Sequence, residues 1–323
     1  ANASIFTYDV ISMYTNIDRE ECIARIKQYL WLPTTHLQFK HKHPRVIIAA
    51  MALVMRNNMM RFGDLVIHQI KGIAMGMSPA PTIANLFVAI YEAEHIVPKI
   101  GSYLLLLRRF IDNGFGIWIH NPDPVVDKTN WMECQALVNA MGLSWEFTER
   151  CQKVVFMDLT IEIVNRRFVT SLYAKPMALY LYIPPNSSHA PGILTGLVYG
   201  QVLRIYQLCS LSTDIDKELA AFYRRLLARG YHARQVLPLL EKAINNACTH
   251  LSRTDEEQRL IAQEKEEASQ QRLFFHLPFH PQLPPSAEIQ RLWRQHISAP
   301  PGEPALHQLK NAEGYPIPVK QLI

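Results

Sequence analysis

The sequence predicts an α+β fold: an antiparallel sheet with packed helices, then a mostly helical region, then a charged helix and a Pro-rich tail. Residues 4–182 mix β-branched and aromatic runs with helical spacings, and hairpin signals join some of the runs. After Ser187 the pattern turns helical. Nine of the 21 prolines fall after Phe275, which predicts an extended tail.

Taken in order, Ser4 to Val10 reads as a strand with Ile5, Thr7 and Asp9 on one face. Residues 18–32 and 44–61 read as helices, and His68-Gln69-Ile70 leads into a Gly/Met/Pro turn region. From Ile83 to His95, Ala84, Phe87, Val88 and Tyr91 form one helical stripe. Tyr103–Ile111 and Phe115–His120 read as strands joined by a turn at Asp112-Asn113-Gly114, because Asn-Gly between β-rich runs is a strong hairpin signal. A helix from Trp131 to Met141-Gly142 follows, then strands at Leu143–Phe147, Val154–Val164 and Arg167–Ala174. Further on, Thr213 with Asp216 predicts a capping box for a helix carrying Leu219, Phe222, Tyr223, Leu226 and Leu227. Gly230 predicts that helix's end, and residues 253–272 predict a solvated helix.

At 323 residues the chain has room for two domains. Its 49% hydrophobic and 19% charged residues exclude a disordered protein. The longest apolar run, Val46 to Met55, is too short to cross a bilayer, and no secretory signal opens the chain. It starts on Ala1 and enters a strand at once, as a piece of a longer protein would. Five scattered cysteines exclude a disulfide framework and a zinc ribbon and predict a reducing, intracellular compartment. His41 and His43 flank Lys42 with no second ligand pair nearby, which predicts a basic loop rather than a metal site. The net charge of +5 permits a polyanionic partner without requiring one.

Two aspartates stand out. Asp9 ends a strand in YDVISMYTNI, and Asp112 sits at a hairpin tip in FIDNG. Carboxylates so placed can hold two divalent cations that activate a 3′-hydroxyl and stabilise departing pyrophosphate. Mg²⁺ suits this role because it prefers oxygen donors and completes its octahedron with phosphates. Taken singly, each is also an ordinary turn or strand-end residue.

The ordered set of segments is more specific. DVISMYTNI, GIAMGMSPAPTIANLF with Gly72, Pro81 and Asn85, and RRFIDN come in the order of polymerase palm motifs A, B and C. They resemble a reverse transcriptase, and the Penelope-like retroelement group in particular. The likeness continues through Val155-Phe156-Met157-Asp158, Leu172-Tyr173-Ala174-Lys175-Pro176, Ser188-His189, Leu203-Arg204 with Cys209-Ser210, and Arg229-Gly230-Tyr231, covering residues 4 to about 232.

The resemblance implies an RNA-directed DNA polymerase acting on an RNA template, a DNA primer and dNTPs, with two Mg²⁺ ions (or Mn²⁺), no membrane and a nuclear place of work. It implies a palm over 1–182, a thumb-like helical region over 183–252, and a charged helix with a tail over 253–323. Asp9 and Asp112 would be the catalytic metal ligands, joined by the Val10 carbonyl and by Asn113. Tyr14 would crowd a ribose 2′-hydroxyl, and Met75 and Gly76 would lie against template and incoming nucleotide. Phe156 and Met157 would grip the primer; Arg204, Arg224 and Arg225 would contact the duplex. Lys153 reads as a surface lysine before it reads as a proton donor to pyrophosphate.

Two departures weaken this expectation. The family carries Asp-Asp at the hairpin tip, whereas here the second residue is Asn113, which removes one negative charge. The basic fingers segment that precedes motif A in the family does not precede Asp9 in this sequence. Both predict reduced activity, and the alternative is an inactive relic that binds nucleic acid. An unrelated α+β scaffold with two turn aspartates is the further rival. Basic density supports nucleic-acid contact: six Lys/Arg against Asp64 alone between Lys40 and Lys71, and six against three acids from Arg204 to Arg234. Residues 255–268, with six acids against Arg259 and Lys265, do not favour nucleic acid. His120, Trp118 and Trp145 could serve as base-stacking platforms, but Trp118, within a hairpin strand, reads as core.

Overall fold

The computed structural model describes residues 3–36, 43–190 and 192–270, with the single positions 284, 288 and 291 beyond them. The remainder of the proline-rich stretch after Phe275, and His41 and Lys42, lie outside the described residues. Contacts divide the chain into two compact units at Ala174/Lys175.

In the first unit, β1 (Ala3–Val10) runs into the single turn α1 (Met13–Asn16) and then α2 (Arg19–Leu30). Asp18 starts α2 by accepting from the Glu21 N–H at 2.8 Å. The short α3 (Pro33–His36) and the longer α4 (Pro44–Arg56) follow. The expected helix over 44–61 is corrected here, because α4 stops at Arg56. The Asn57 side chain donates to the Leu53 carbonyl at 2.7 Å and diverts the backbone. A hairpin of β2 (Met59–Phe62) and β3 (Leu65–His68) then turns at Gly63-Asp64. Gly-Asp between two β-rich runs is itself a hairpin signal, overridden by the helical spacing before it.

Next come α5 (Ala80–Tyr91), a π-helical turn over Glu92–Ile96, and α6 (Val97–Ile100). The pair β4 (Leu104–Phe110) and β5 (Asn113–Ile119) leads to α7 (Pro124–Asn139), β6 (Trp145–Phe147), β7 (Lys153–Phe156), β8 (Leu159–Val164) and β9 (Arg167–Leu172). The run expected as one strand, Val154–Val164, is thus folded into two. Met157 (φ 55°) takes the left-handed conformation and Phe156 pairs with Leu159, so the strand doubles back.

One antiparallel sheet has the order β4-β5-β1-β6, with β1 inside it. Alternation along β1 sends Phe6, Tyr8 and Val10 into the main core, with Ile26, Met55, Phe87, Trp118 and Trp145. Ile5 faces the other way, into a smaller core with Phe115, Ile117, Val154 and Ile161. Thus β7 and β8 cover that face near its centre and leave Asp9 at the strand's end outside the cover.

Gly114 and Gly116 make this packing possible. A Cβ on Gly116 would stand 2.2 Å from the Phe6 ring, and one on Gly114 would stand 2.1 Å from the Tyr8 ring. Phe6 is fully buried and edge-on to Trp131 at 4.8 Å, so its ring has nowhere to go. Gly116→Ala is therefore expected to destabilise the first unit by about 1–3 kcal/mol, the usual cost of overpacking a core. Urea unfolding followed by tryptophan fluorescence checks this.

The second unit holds α8 (Ile193–Leu208), α9 (Ser212–Ala228), α10 (Ala233–Leu251) and α11 (Asp255–Gln270). Val198, Val202 and Ile205 of α8, Phe222 and Leu226 of α9, and Val236 and Leu240 of α10 are among its buried residues. The expected Thr213–Asp216 capping box does not form. The helix begins two residues earlier, at Ser212, with Leu211 before it and no side-chain cap. The chain's capping box starts α11 instead: Thr254 N–H donates to Glu257 Oε2 at 2.8 Å, and Glu257 N–H to Thr254 Oγ1 at 3.3 Å. Gly230 ends α9 as expected, in a Schellman arrangement. Its N–H donates to Leu227 O at 3.0 Å, and Tyr231 N–H to Leu226 O at 3.2 Å.

Candidate functional site

Asp9 reaches its position because β1 runs between two partners. It pairs with Asn113 on β5 and with Glu146 on β6. One residue on, the Val10 N–H donates to the Asp112 carbonyl at 3.2 Å, tying the strand end to the hairpin tip. Burial pushes the Asp9 carboxyl above its usual range, and the nearby charges of Asp112 and then Glu146 push it the same way. The two aspartates, far apart in the chain, are thereby neighbours. Burial and then the Asp112 charge also raise the Tyr14 phenol.

The hairpin turn lies one residue earlier than expected. Phe110 pairs with Asn113, so Ile111-Asp112 is the two-residue loop, and Asn113 and Gly114 already belong to β5. Ile111 has a φ of 56°, a left-handed conformation that a β-branched residue adopts only under constraint. The Asn-Gly pair misleads because Gly114 is required by the Tyr8 ring above it rather than by a turn. The Asn113 side chain donates to Asp112 Oδ1 at 2.9 Å.

A cleft of about 290 Å³ opens at this point, lined by Thr7, Asp9, Asn113, Glu146, Phe156 and Met157 among others. Three segments meet there: the end of β1, the start of β5 and the β7–β8 turn. Phe156 rests on Phe115 at 5.7 Å, which anchors that turn to the sheet. Glu146 is a lining residue that sequence reading missed. The strict alternation of Trp145-Glu146-Phe147, with one acid between two large aromatics, was its signal.

The turn carrying Met75 and Gly76 is anchored at its base. Ile73 N–H donates to Tyr14 O at 2.6 Å, and a Cβ on Gly72 would stand 2.5 Å from the same oxygen. Only bare backbone fits there. Met75 and Gly76 are exposed and line no part of the cleft.

The chemistry of these donors is of the kind a divalent cation takes. Asp9, half-buried Asp112 and the Val10 carbonyl are hard oxygen donors, and Mg²⁺ typically takes one or two carboxylates and fills its octahedron with phosphate and water. Asn113 has turned its amide nitrogen to Asp112, which leaves its uncharged amide oxygen as an acceptor. No group of three His, Cys, Asp or Glu suited to a metal occurs among the described residues.

Lys153 is salt-bridged to Glu162 at 2.9 Å across β7 and β8. Trp118 is buried, as expected of core, and Trp145, a possible stacking platform from the sequence, is buried as well. In the second unit Arg224 is exposed, whereas the Arg225 guanidinium lies 3.5 Å over the Tyr180 ring. Arg229 donates to the Tyr182 carbonyl. Arg204 lies on α8.

Residues 181–237 match the animal helix-turn-helix domain, a stretch that takes in α8, α9 and the start of α10. No curated protein matches the chain. Among solved structures, the chain is similar to telomerase from Candida albicans in complex with the TWJ fragment of telomeric RNA, at 9% identity and a TM-score of 0.48, over 76% of this chain and 45% of that one. It is similar to apo telomerase from Candida tropicalis at 11% identity and a TM-score of 0.39, over 76% and 45%. The BmCPV RNA-dependent RNA polymerase at elongation state gives 11% and 0.40, over 64% and 19%. The chain spans less than half the length of these structures. No helix among the described residues is long and apolar enough to cross a membrane.

Proposed function

We propose that this chain is the palm and thumb portion of a reverse transcriptase of the Penelope-like group, extending a DNA primer on an RNA template. The observation that carries the reading is the meeting of Asp9, Asn113 and the Phe156-Met157 turn at one cleft, with Asp112 beside it, tied to the end of β1 by the Val10 N–H. These are the segments that the motif order singles out.

Asp9, Asp112 and the Val10 carbonyl would hold Mg²⁺, which supplies activation of the primer hydroxyl and stabilisation of the pyrophosphate. Tyr14 limits room beside the nucleotide's ribose. Phe156 and Met157 offer an apolar shelf for the primer end. In the second unit, α8 to α10 hold the duplex through its backbone, with Lys217 and Arg224 exposed cations of α9. Arg225 supports this surface indirectly, through Tyr180. The work place of such an enzyme is the nucleus.

RNA-templated primer extension by the full-length protein tests the reading, with Asp9→Ala as the control. Extension that survives Asp9→Ala overturns the site. The second reading, an inactive nucleic-acid-binding relic, is favoured by Asn113, which brings no negative charge to the tip and engages Asp112 Oδ1 through its amide N–H. Asn113→Asp restores a charge at the tip and is expected to raise extension several-fold at saturating Mg²⁺. Absence of extension from both forms, with duplex binding intact, favours the relic.

A further inference from the structure

Arg109 lies on β4 three residues before Asp112, with its side chain almost wholly buried at 4% exposure. A guanidinium has five N–H donors in a fixed plane, and all five of these are used. Nε donates to Glu92 Oε1 at 2.8 Å and Nη2 to Glu92 Oε2 at 3.0 Å, a two-pronged ion pair. Nη1 donates to Asn85 Oδ1 at 2.6 Å, and Nη2 also to the Asn85 carbonyl at 3.2 Å. Nη1 donates as well to the carbonyl of Ile111 at 2.8 Å.

These partners stand on three different elements. Asn85 is on α5 and Glu92 opens the π-helical turn that ends it, whereas Ile111 is the left-handed residue immediately before Asp112. Glu92 also lies 3.5 Å from the Tyr8 hydroxyl, one residue before Asp9. The π turn has a local reason here, since π turns often re-aim a side chain at a functional site. Here the Glu92 carboxylate meets Arg109 from the helix side.

The geometry points to Arg109 as the positioning residue of the carboxylate pair: one buried guanidinium locks the Ile111-Asp112 turn to α5 and, through Glu92, to Tyr8, and so sets where the Asp112 carboxylate stands relative to Asp9. This rests on the nucleotidyl-transfer reading of that pair. An ion pair kept only for stability would not need to grip the carbonyl of a strained turn. A buried pair is in any case a poor stabiliser compared with apolar residues of equal volume.

The experiment uses the full-length protein and two readouts: Mn²⁺ binding by water-proton relaxation, and steady-state primer extension resolved into kcat and dNTP KM. Arg109→Met is expected to lower kcat by about 10–100-fold, the usual cost of losing a partner that orients a metal ligand. It should weaken Mn²⁺ binding as well and leave dNTP KM within a few-fold. Arg109→Lys, which keeps the charge but loses the fork, should recover little. Because Arg109→Met leaves Glu92 buried and unpaired, the double variant Arg109→Met/Glu92→Leu is the decisive protein. It should fold with near-native thermal stability yet keep the low kcat and weak Mn²⁺ binding. A folded double variant with native kcat and Mn²⁺ affinity overturns the inference, and so does full rescue by Arg109→Lys. Asp112→Ala run alongside separates the two levels: if it spares both readouts, the reading of the carboxylate pair itself fails, whatever Arg109 does.

Discussion

Asp9→Ala is expected to abolish RNA-templated extension while making the metal-free protein more stable. Loss of one preorganised electrostatic group at a reacting centre costs on the order of 10²–10³ in rate, and Asp9 would be the carboxylate shared between both cations. The stability gain follows from the same geometry. Burial, Asp112 and Glu146 all raise the Asp9 carboxyl, so the folded protein binds its proton more tightly than the unfolded chain. A group raised on folding helps the fold at pH below its unfolded value and loses that contribution as pH climbs through the folded one. At neutral pH the ionised Asp9 therefore opposes folding. Removing it should raise the melting temperature at pH 7 in the absence of divalent cation and change little at pH 3. A lower melting temperature at pH 7 would show that Asp9 is held by favourable partners, not crowded by like charges. Saturating Mg²⁺ should reverse the order, because only the native residue can bind it.

The largest stability effect is expected at Asp127. This aspartate is 7% exposed and accepts from four donors: Arg150 Nη1 at 2.8 Å, Trp118 Nε1 at 2.9 Å, the Asn121 N–H at 3.0 Å and His120 Nδ1 at 3.1 Å. Arg150 also stacks over Trp118 and Trp131, at 5.4 and 4.9 Å. Asp127→Ala would strand the guanidinium and the indole N–H together, and breaking a buried charge pair from one side costs about 3–5 kcal/mol. Urea denaturation monitored by tryptophan emission measures this directly. Burial by itself would raise the Asp127 carboxyl, but the four donors outweigh it and hold the group well below the usual carboxylate range. The sign is thus opposite to that of Asp9. Its contribution is fully present above the unfolded value of about 3.9 and is lost as pH falls toward the lower folded value. Asp127→Asn should accordingly flatten the acid limb of the stability profile below about pH 4. An unchanged limb would mean that other carboxylates govern acid unfolding.

Asp9 and Asp112 were legible in the sequence because short motifs in a fixed order specify them. The residues that hold them were not. Arg109 reads in sequence as one of two strand arginines beside an apolar run, and nothing in RRFIDN says that its guanidinium is buried against Asn85 and Glu92. Glu92 reads as one polar position inside the helical run from Ile83 to His95, outside its apolar stripe. The site of the hairpin turn was misread for a related reason. Asn-Gly has the right chemistry for a turn, but the Tyr8 ring needs Gly114 beneath it, and cross-strand packing took precedence over local propensity. In the second unit, Gly230 was legible because a left-handed C-terminal residue is a local requirement. Arg225 was not, since only folding brings Tyr180 under it.

Local chemistry therefore determined the α+β class, most strand and helix positions, the cap at Asp18, the helix end at Gly230 and the identity of the candidate carboxylates. These depend on neighbours within a few residues, where spacing and side-chain type act directly. Tertiary structure alone decided that Asp9 and Asp112 adjoin, that Glu146 stands opposite Asp9, that the tip turns at Ile111-Asp112, and that a single arginine ties that tip to α5. Those outcomes depend on pairing register and on burial of charge. Both are set by contacts between residues scores of positions apart, whose energies no local window contains.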